Sequence, residues 1–196
     1  MKILFLCICM MVIHFAKSQS IQRLEEVLPE DTLREGQGII YGKFLQRIGF
    51  SGLGFPQDIQ IECLETRKKF SFRVKDAFKI KKSRAFLYHV PVGNYKILNY
   101  CWTQSKLLGS VVYTEPIYKG CNAFEIYKSS KAGDFFKKQL QHFTFFVSGG
   151  TLNYLGTWRF DQSIVSFEED REGLENRLSG RYRRLNFIAA RVALPK

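Results

Sequence analysis

The stretch FTFFVSGGTLNYLGTWRF, residues 143–160, decides the fold class expected for this protein. Before the two glycines, Phe143, Phe145 and Val147 fall on one face of an extended chain. After the glycines, the apolar residues that share a face are Leu152, Tyr154, Trp158 and Phe160. Alternation with a period of two on both sides of a glycine break predicts a β-hairpin with one buried face. The glycines would supply the positive φ angles of its turn.

The glycine pair could instead belong to a phosphate-binding loop. Such a loop needs the N-terminus of a helix directly after the glycines, because the free backbone N–H groups there hold the anion. The sequence that follows, TLNYLGTWRF, is a poor helix former. We therefore interpret the glycines as a turn between two strands.

The same pattern of short strand-like runs separated by turn residues continues through most of the chain from residue 38 onward. Strands are predicted over residues 38–46, 58–64 and 69–75, among others, and residues 84–102 predict a second hairpin. In that hairpin Pro91 and Gly93 occupy the second and fourth positions of a turn, as a type I turn prefers. Turn signals at this spacing indicate a sandwich or a partly closed barrel. Of these we expect a mainly antiparallel β-sandwich with about 8–10 strands over residues 37–196.

One segment near the C-terminus predicts a helix instead. Ser166 and Glu169 have the spacing of a capping box, acidic residues follow, and arginines come last, which suits the helix dipole. One helical stripe is formed by Leu174, Leu178, Tyr182 and Leu185. We expect a helix near residues 167–180 that packs on an edge or a face of a sheet.

The N-terminus has the layout of a secretory signal peptide. Lys2 is followed by an apolar segment over residues 3–15 and by the small-x-small site Ala16-Lys17-Ser18. We expect cleavage after Ser18 and export to the periplasm, the cell envelope or the medium, with a retained N-terminal anchor as the alternative. Residues 19–36 are expected to form a polar lead-in with a short amphipathic turn. No later stretch is long and apolar enough to span a bilayer.

The charge balance favours anionic partners. Lys and Arg number 30 against 18 Asp and Glu, for a formal net charge of +12. Such a surface attracts anionic lipid, acidic glycan or nucleic acid. Export disfavours nucleic acid as a partner, and no nucleic-acid-binding motif is visible. Another protein of the cell envelope is a further candidate.

Two basic groups are candidate contacts with an anionic surface. In the first, Phe135 and Phe136 could enter a lipid headgroup region while Lys137 and Lys138 hold the anionic lipid. The second gathers at the end of the predicted helix and consists of Arg181, Arg183 and Arg184. The alternative is a solvated basic surface that protects strand edges from aggregation.

Cysteine and histidine residues offer few catalytic arrangements. Cys101 and Cys121 lie on segments predicted to be neighbouring strands, so they are the preferred disulfide pair, with Cys63 left over; three buried thiols are the alternative. Cys101 or Cys121 beside His89 could form a nucleophilic site, because adjacent strands could bring them together. The acidic cluster over residues 168–172 could act in hydrolysis, although compensation of a helix dipole explains it better. We predict no catalytic residue, no cofactor and no metal site.

Three segments together resemble a known class of protein. They are GIIYGKF, FLYHVPVGNYKI and FFVSGGTLNYLGTWRF, of which the second carries Pro91, Gly93 and Tyr95 and the third carries Gly150 and Gly156. They are similar to bacterial exported β-sandwich domains of the PEGA and carboxypeptidase-regulatory (transthyretin-like) families. The resemblance implies an immunoglobulin- or transthyretin-like β-sandwich that acts as a non-catalytic binding or structural module of the cell envelope. A small secreted hydrolase, with a Cys–His or carboxylate site, is the alternative.

Overall fold

The computed structural model describes residues 20–46, 56–75, 83–106, 109–122 and 140–196. Over these residues the chain forms twelve strands and one helix. In chain order the elements are β1 (Gln22–Arg23), β2 (Glu25–Glu26), β3 (Gln37–Leu45), β4 (Gln57–Cys63), β5 (Lys69–Lys75), β6 (Ser83–Pro91), β7 (Gly93–Lys106), β8 (Gly109–Pro116), β9 (Thr144–Val147), β10 (Leu152–Arg159), β11 (Ser166–Glu168), α1 (Glu172–Arg181) and β12 (Arg191–Val192).

The strands form two sheets of six. Sheet 1 has the order β1-β5-β4-β7-β8, with β9 paired to β7, and sheet 2 has the order β11-β10-β3-β6-β2, with β12 paired to β10. Most pairs are antiparallel, but β1–β5, β3–β10 and β10–β12 are parallel. A mainly β fold with one helix is thus confirmed, and both sheets are mixed.

The glycine turn does not close a hairpin. Strand β9, before it, belongs to sheet 1 and pairs with β7, whereas β10, after it, belongs to sheet 2 and pairs with β3. Gly150 has a φ of 59°, and its N–H donates to the carbonyl of Gln37 at 2.8 Å. The prediction of a turn is confirmed, but the hairpin prediction is wrong because the turn carries the chain from one sheet to the other.

The prediction of a second hairpin is also wrong, because its two strands belong to different sheets. Strand β6 lies in sheet 2 and pairs with β3, while β7 lies in sheet 1 and pairs with β4. The turn from Pro91 to Gly93 therefore also crosses between the sheets. Tyr95 fixes this crossing, because its hydroxyl donates to the carbonyl of Pro91 at 2.8 Å.

Aromatic side chains from both sheets fill the space between them. Trp158 of β10 is fully buried and meets Phe72, Phe86 and Phe167 edge to face, with ring centroids 5.9, 5.4 and 5.0 Å away. Its indole N–H donates to the carbonyl of Leu155 at 3.0 Å. Such ring pairs each contribute roughly 0.5–1.5 kcal/mol beyond their buried area. This central core holds the two sheets together.

A bulge in β10 makes the strand change faces. Its register with β3 shifts between Tyr154 and Thr157, and Gly156 there has a φ of 86°. Tyr154 therefore packs on the outer side of sheet 2, whereas Leu155 and Trp158 face the central core. The prediction that Leu152, Tyr154, Trp158 and Phe160 share one face is therefore wrong, since the first two lie on the outer side of sheet 2 and the last two in the central core.

Helix α1 and the segment after it cover the outer face of sheet 2. The predicted stripe of Leu174, Leu178, Tyr182 and Leu185 is buried there. Burial stabilises the fold by roughly 1.5–3 kcal/mol for each leucine. The predicted capping box does not form, because residues 166–168 are strand β11 and the helix begins after Arg171 without a side-chain cap. After the helix, the chain returns to sheet 2 as the two-residue strand β12.

A polar clamp fixes α1 to the sheet. The hydroxyl of Tyr41 on β3 donates to the carboxylate of Glu175, and Arg171 Nε donates to the same oxygen at 2.8 Å. Burial, and then the bond to Glu175, raise the pKa of the Tyr41 hydroxyl far above its ordinary value. The neutral hydroxyl is therefore a permanent donor in this clamp.

The N-terminal segment is not the polar surface lead-in that the sequence predicted. Strand β1 pairs with β5 at the edge of sheet 1, and β2 pairs with β6 at the edge of sheet 2. Leu24, between them, is buried in the central core, and Val27 is buried on the outer face of sheet 2. Residues 22–26 thus connect the two sheets along one edge. One cleft lies on each side of this connecting segment.

Candidate functional site

The arginines predicted from the sequence lie at the end of α1. Arg181 is its last residue, and Arg183 and Arg184 follow in the turn; all three are exposed. Arg184 Nη1 donates to the carbonyl of Glu30 at 3.0 Å. The other predicted contacts, Phe135, Phe136, Lys137 and Lys138, lie outside the described residues.

Arg181 borders a cleft of about 280 Å³ between α1 and the β2–β6 edge of sheet 2. We call it the arginine cleft. Its lining consists of Glu26, Arg84, Ala85, Leu87, Arg177, Leu178, Arg181 and Tyr182. Arg177 and Arg181 are one helical turn apart, so they lie on the same side of α1. The buried Leu87 and Leu178 give the cleft an apolar floor.

The arginine cleft carries an excess of positive charge. Arg84 Nη2 lies 3.6 Å from Glu26 Oε1, which is the one carboxylate that lines the cleft among the described residues. Within the same part of the chain, Arg177 and Arg181 form no ion pair; the Arg181 guanidinium lies 5.3 Å from the centroid of the Tyr182 ring. Guanidinium groups bind carboxylate, sulfate and phosphate through paired N–H donors. This arrangement can therefore hold an anionic group.

A second cleft, of about 380 Å³, lies on the other side of the β1–β2 segment. We call it the edge cleft. Sheet 1, sheet 2 and the segment that joins them all contribute to its lining. The lining residues are Gln22, Arg23, Leu24, Glu25, Gln37, Cys63, Thr66, Lys68, Phe70, His89, Pro91, Val92 and Tyr95.

The edge cleft brings Cys63 and His89 into one site, where the sequence suggested Cys101 or Cys121 beside His89. The Cys63 thiol donates to Glu65 Oε2 at 3.2 Å, and His89 Nε2 bonds to Asp31 Oδ2 at 3.2 Å. Each group is thus engaged by a carboxylate. No Cys–His hydrogen bond forms among the described residues, so the cleft lacks the thiol–base contact of a nucleophilic site.

Asn94 and Cys63 together hold Glu65 at the mouth of the β6–β7 turn. Asn94 donates to this carboxylate through its side chain at 2.7 Å and through its backbone N–H at 3.0 and 3.1 Å. These bonds, and then the bond from Cys63, lower the pKa of Glu65 to about 2. Its carboxylate is thus ionised under most conditions.

The predicted disulfide is absent from the structure. Cys63, Cys101 and Cys121 are buried free thiols. Cys101 lies on β7, where its thiol donates to Thr114 Oγ1 on β8 at 3.7 Å, and burial raises its pKa. The neighbouring strand therefore presents a hydroxyl, and not a second sulfur, to Cys101.

The acidic cluster before α1 does not converge on a cleft. Glu168 pairs with Arg159 at 3.0 Å and Asp170 with Lys43 at 3.4 Å, while Glu172 begins the helix.

In the described part of the chain, no group of three His, Cys, Asp or Glu side chains could hold a metal ion. In the same residues, no helix has both the length and the apolar character needed to cross a membrane.

Comparison with known proteins gives one distant similarity. No family model matches the chain, and no curated protein matches it. A leucine-rich repeat protein from Bacteroides thetaiotaomicron VPI-5482 is similar in structure, with 12% sequence identity and a TM-score of 0.35. The similarity covers 63% of this chain and 14% of that one. It carries no argument about fold or function.

Sequence reasoning singled out Arg181 of the arginine cleft and Cys63 and His89 of the edge cleft, but it did not predict either cleft. Arg84 and Arg177 stand 93 positions apart in the chain and belong to different basic runs, and strand–helix packing brings them together. Gln37 and His89 likewise meet in the edge cleft because β3 pairs with β6. A cluster of this kind has no local sequence signal.

Proposed function

We propose that this protein is an exported, non-catalytic binding module of the cell envelope that holds an acidic glycan in the arginine cleft. The observation that carries the proposal is the arrangement of Arg84, Arg177 and Arg181 around one cleft, with Glu26 as its carboxylate. The signal-peptide layout of residues 1–18 and the net charge of +12 agree with an anionic partner outside the cytoplasm.

The shape of the cleft favours a glycan over a lipid surface. A sugar ring carrying a carboxylate or sulfate offers an anionic group to the guanidinium groups and an apolar C–H face to Leu87 and Leu178. A membrane surface instead binds through apolar side chains that project from the protein. In the arginine cleft the apolar side chains form a recessed floor and the cations form the rim.

Binding of oligogalacturonate to the chain without residues 1–18 tests the proposal. We expect calorimetry to show binding that weakens steeply as salt rises, since exposed charges are screened within about 10 Å at 0.1 M salt. The double variant Arg177→Glu/Arg181→Glu should bind at least about tenfold more weakly, equivalent to about 1.4 kcal/mol. Arg183→Glu makes the same kind of charge change outside the cleft and should change the affinity by less than about threefold.

Three outcomes would count against the proposal. Equal losses in Arg183→Glu and in the double variant would place binding outside the cleft. Binding to phosphatidylglycerol vesicles, without binding to the oligosaccharide, would identify lipid as the partner. Release of shorter oligosaccharides during incubation would instead support the secreted hydrolase.

A further inference from the structure

Two residues that line the edge cleft each carry a buried polar atom with no hydrogen-bond partner among the described residues. Gln37 Oε1 and His89 Nδ1 are both buried, and neither has a hydrogen-bond partner among the described residues. Both residues line the cleft, and the His89 side chain is 2% exposed. Buried polar atoms are nearly always hydrogen-bonded, because an unpaired atom loses its bonds to water without gaining a bond in the protein. The two atoms therefore indicate a ligand that brings donors.

The surroundings of His89 define the role of its free nitrogen. Asp31 Oδ2 accepts the N–H of Leu28 at 2.8 Å and lies 3.2 Å from His89 Nε2. The bond from Leu28, and then the bond from His89, lower the pKa of Asp31, so this side chain is a carboxylate and can only accept. Nε2 must therefore donate, and when the ring carries a single proton Nδ1 is the nitrogen left to accept. A ligand hydroxyl is a suitable donor for it.

The charges of the edge cleft favour an anion. Arg23 and Lys68 line it, and neither forms an ion pair within the described ranges. Glu25 is the one lining carboxylate in those ranges, and Arg34 already holds it through two bonds of 2.6 and 2.9 Å. The cleft thus offers cations to a ligand carboxylate but no free carboxylate to a ligand ammonium group.

We propose that the edge cleft binds a single polyhydroxy carboxylate the size of a monosaccharide, such as a uronic acid. Its volume of about 380 Å³ is at the small end of ligand pockets, which fits one sugar ring. Hydroxyl groups donate to Gln37 Oε1 and His89 Nδ1, while Lys68 and Arg23 hold the carboxylate. This site is separate from the arginine cleft and does not rest on the function proposed there.

Histidine ring NMR of the chain without residues 1–18 tests this site, with D-glucuronate as the probe. Only His89 and His142 remain in that chain, and His142 bonds through Nδ1 to the carbonyl of Ile117, away from the cleft lining. Millimolar glucuronate should shift the His89 ring nitrogens in a saturable way and leave His142 unchanged. Glucose, which lacks the carboxylate, and glutamate, which carries an ammonium group, should each bind at least about tenfold more weakly.

Two variants with a matched control separate binding from stability. Gln37→Leu removes an acceptor, and Lys68→Met removes a cation on an exposed side chain, so the second variant should fold even if the first does not. Each should weaken glucuronate binding about tenfold or more, whereas Gln141→Leu, in a loop outside the cleft, should have no effect. An unshifted His89, equal shifts in both histidines, or equal binding of glucose or glutamate would overturn the proposal.

Discussion

The Asn153 side chain and the Ser148 backbone form two hydrogen bonds, one in each direction. The Ser148 N–H donates to Asn153 Oδ1 at 3.0 Å, and Asn153 Nδ2 donates to the Ser148 carbonyl at 3.1 Å. Asn153 also donates to the Thr151 carbonyl at 3.2 Å and is fully buried. One amide thus holds the whole turn that carries the chain from sheet 1 to sheet 2.

Replacement of this amide should destabilise the fold. Asn153→Ala removes these hydrogen bonds and leaves buried backbone groups unpaired, so we expect a loss of roughly 2–4 kcal/mol in the free energy of unfolding. Urea denaturation measures this loss. Ser148→Ala is the matched control, because it removes only the hydroxyl that accepts from Arg191 at 2.8 Å and should cost less than about 1 kcal/mol. Equal losses in the two variants would show that the amide does not hold the turn.

Alanine should have opposite effects at two glycines. At Gly156 a Cβ would lie 2.5 Å from Leu194 Cδ2 and 2.8 Å from the Glu168 carbonyl oxygen, and the φ of 86° is unfavourable for alanine. Gly156→Ala should therefore lower the thermal midpoint. At Gly173, in α1, a Cβ meets nothing within 4 Å, so Gly173→Ala should stabilise the protein by about 0.5–1 kcal/mol. If calorimetry showed Gly156→Ala to be as stable as the wild type, the bulge would not require glycine.

Glu65 should contribute to the acid sensitivity of the fold. Its pKa falls from an ordinary value of 4.5 to about 2 in the folded chain. Its stabilising effect is therefore complete above about pH 4.5 and is lost as the pH falls toward 2. In thermal melts across this window, Glu65→Gln should differ from the wild type at pH 7 and approach it near pH 2. The exposed Glu35→Gln is the matched control; a difference for Glu65→Gln that is constant with pH would contradict the assignment.

Thiol titration can decide the state of the cysteines. Because Cys63, Cys101 and Cys121 are all buried, the native chain without residues 1–18 should react slowly with a thiol reagent. After unfolding without a reductant, three thiols should react. A single reactive thiol would instead show one disulfide, and non-reducing peptide mapping would show whether it joins Cys101 to Cys121, as the sequence suggested.

The sequence by itself determined where several strands lie and which side of the helix is buried. The predicted ranges 38–46, 58–64 and 69–75 agree with β3, β4 and β5 to within one residue at each end. The stripe through Leu174 and Leu178 is buried as predicted. These features are local, because the period of the apolar residues, two on a strand and 3.6 on a helix, indicates which side of the element is buried.

Only the tertiary structure decided which sheet each strand joins. Residues 144–147 and 152–159 have the alternation of a hairpin, yet each strand pairs with a different, distant strand. Period-two alternation shows that one face is buried but contains no information about the hydrogen-bonding partner. Both clefts depend on that pairing: β3–β6 places Gln37 near His89, and the packing of α1 on sheet 2 places Arg177 near Arg84. The sites are therefore a product of long-range packing, which local sequence patterns do not encode.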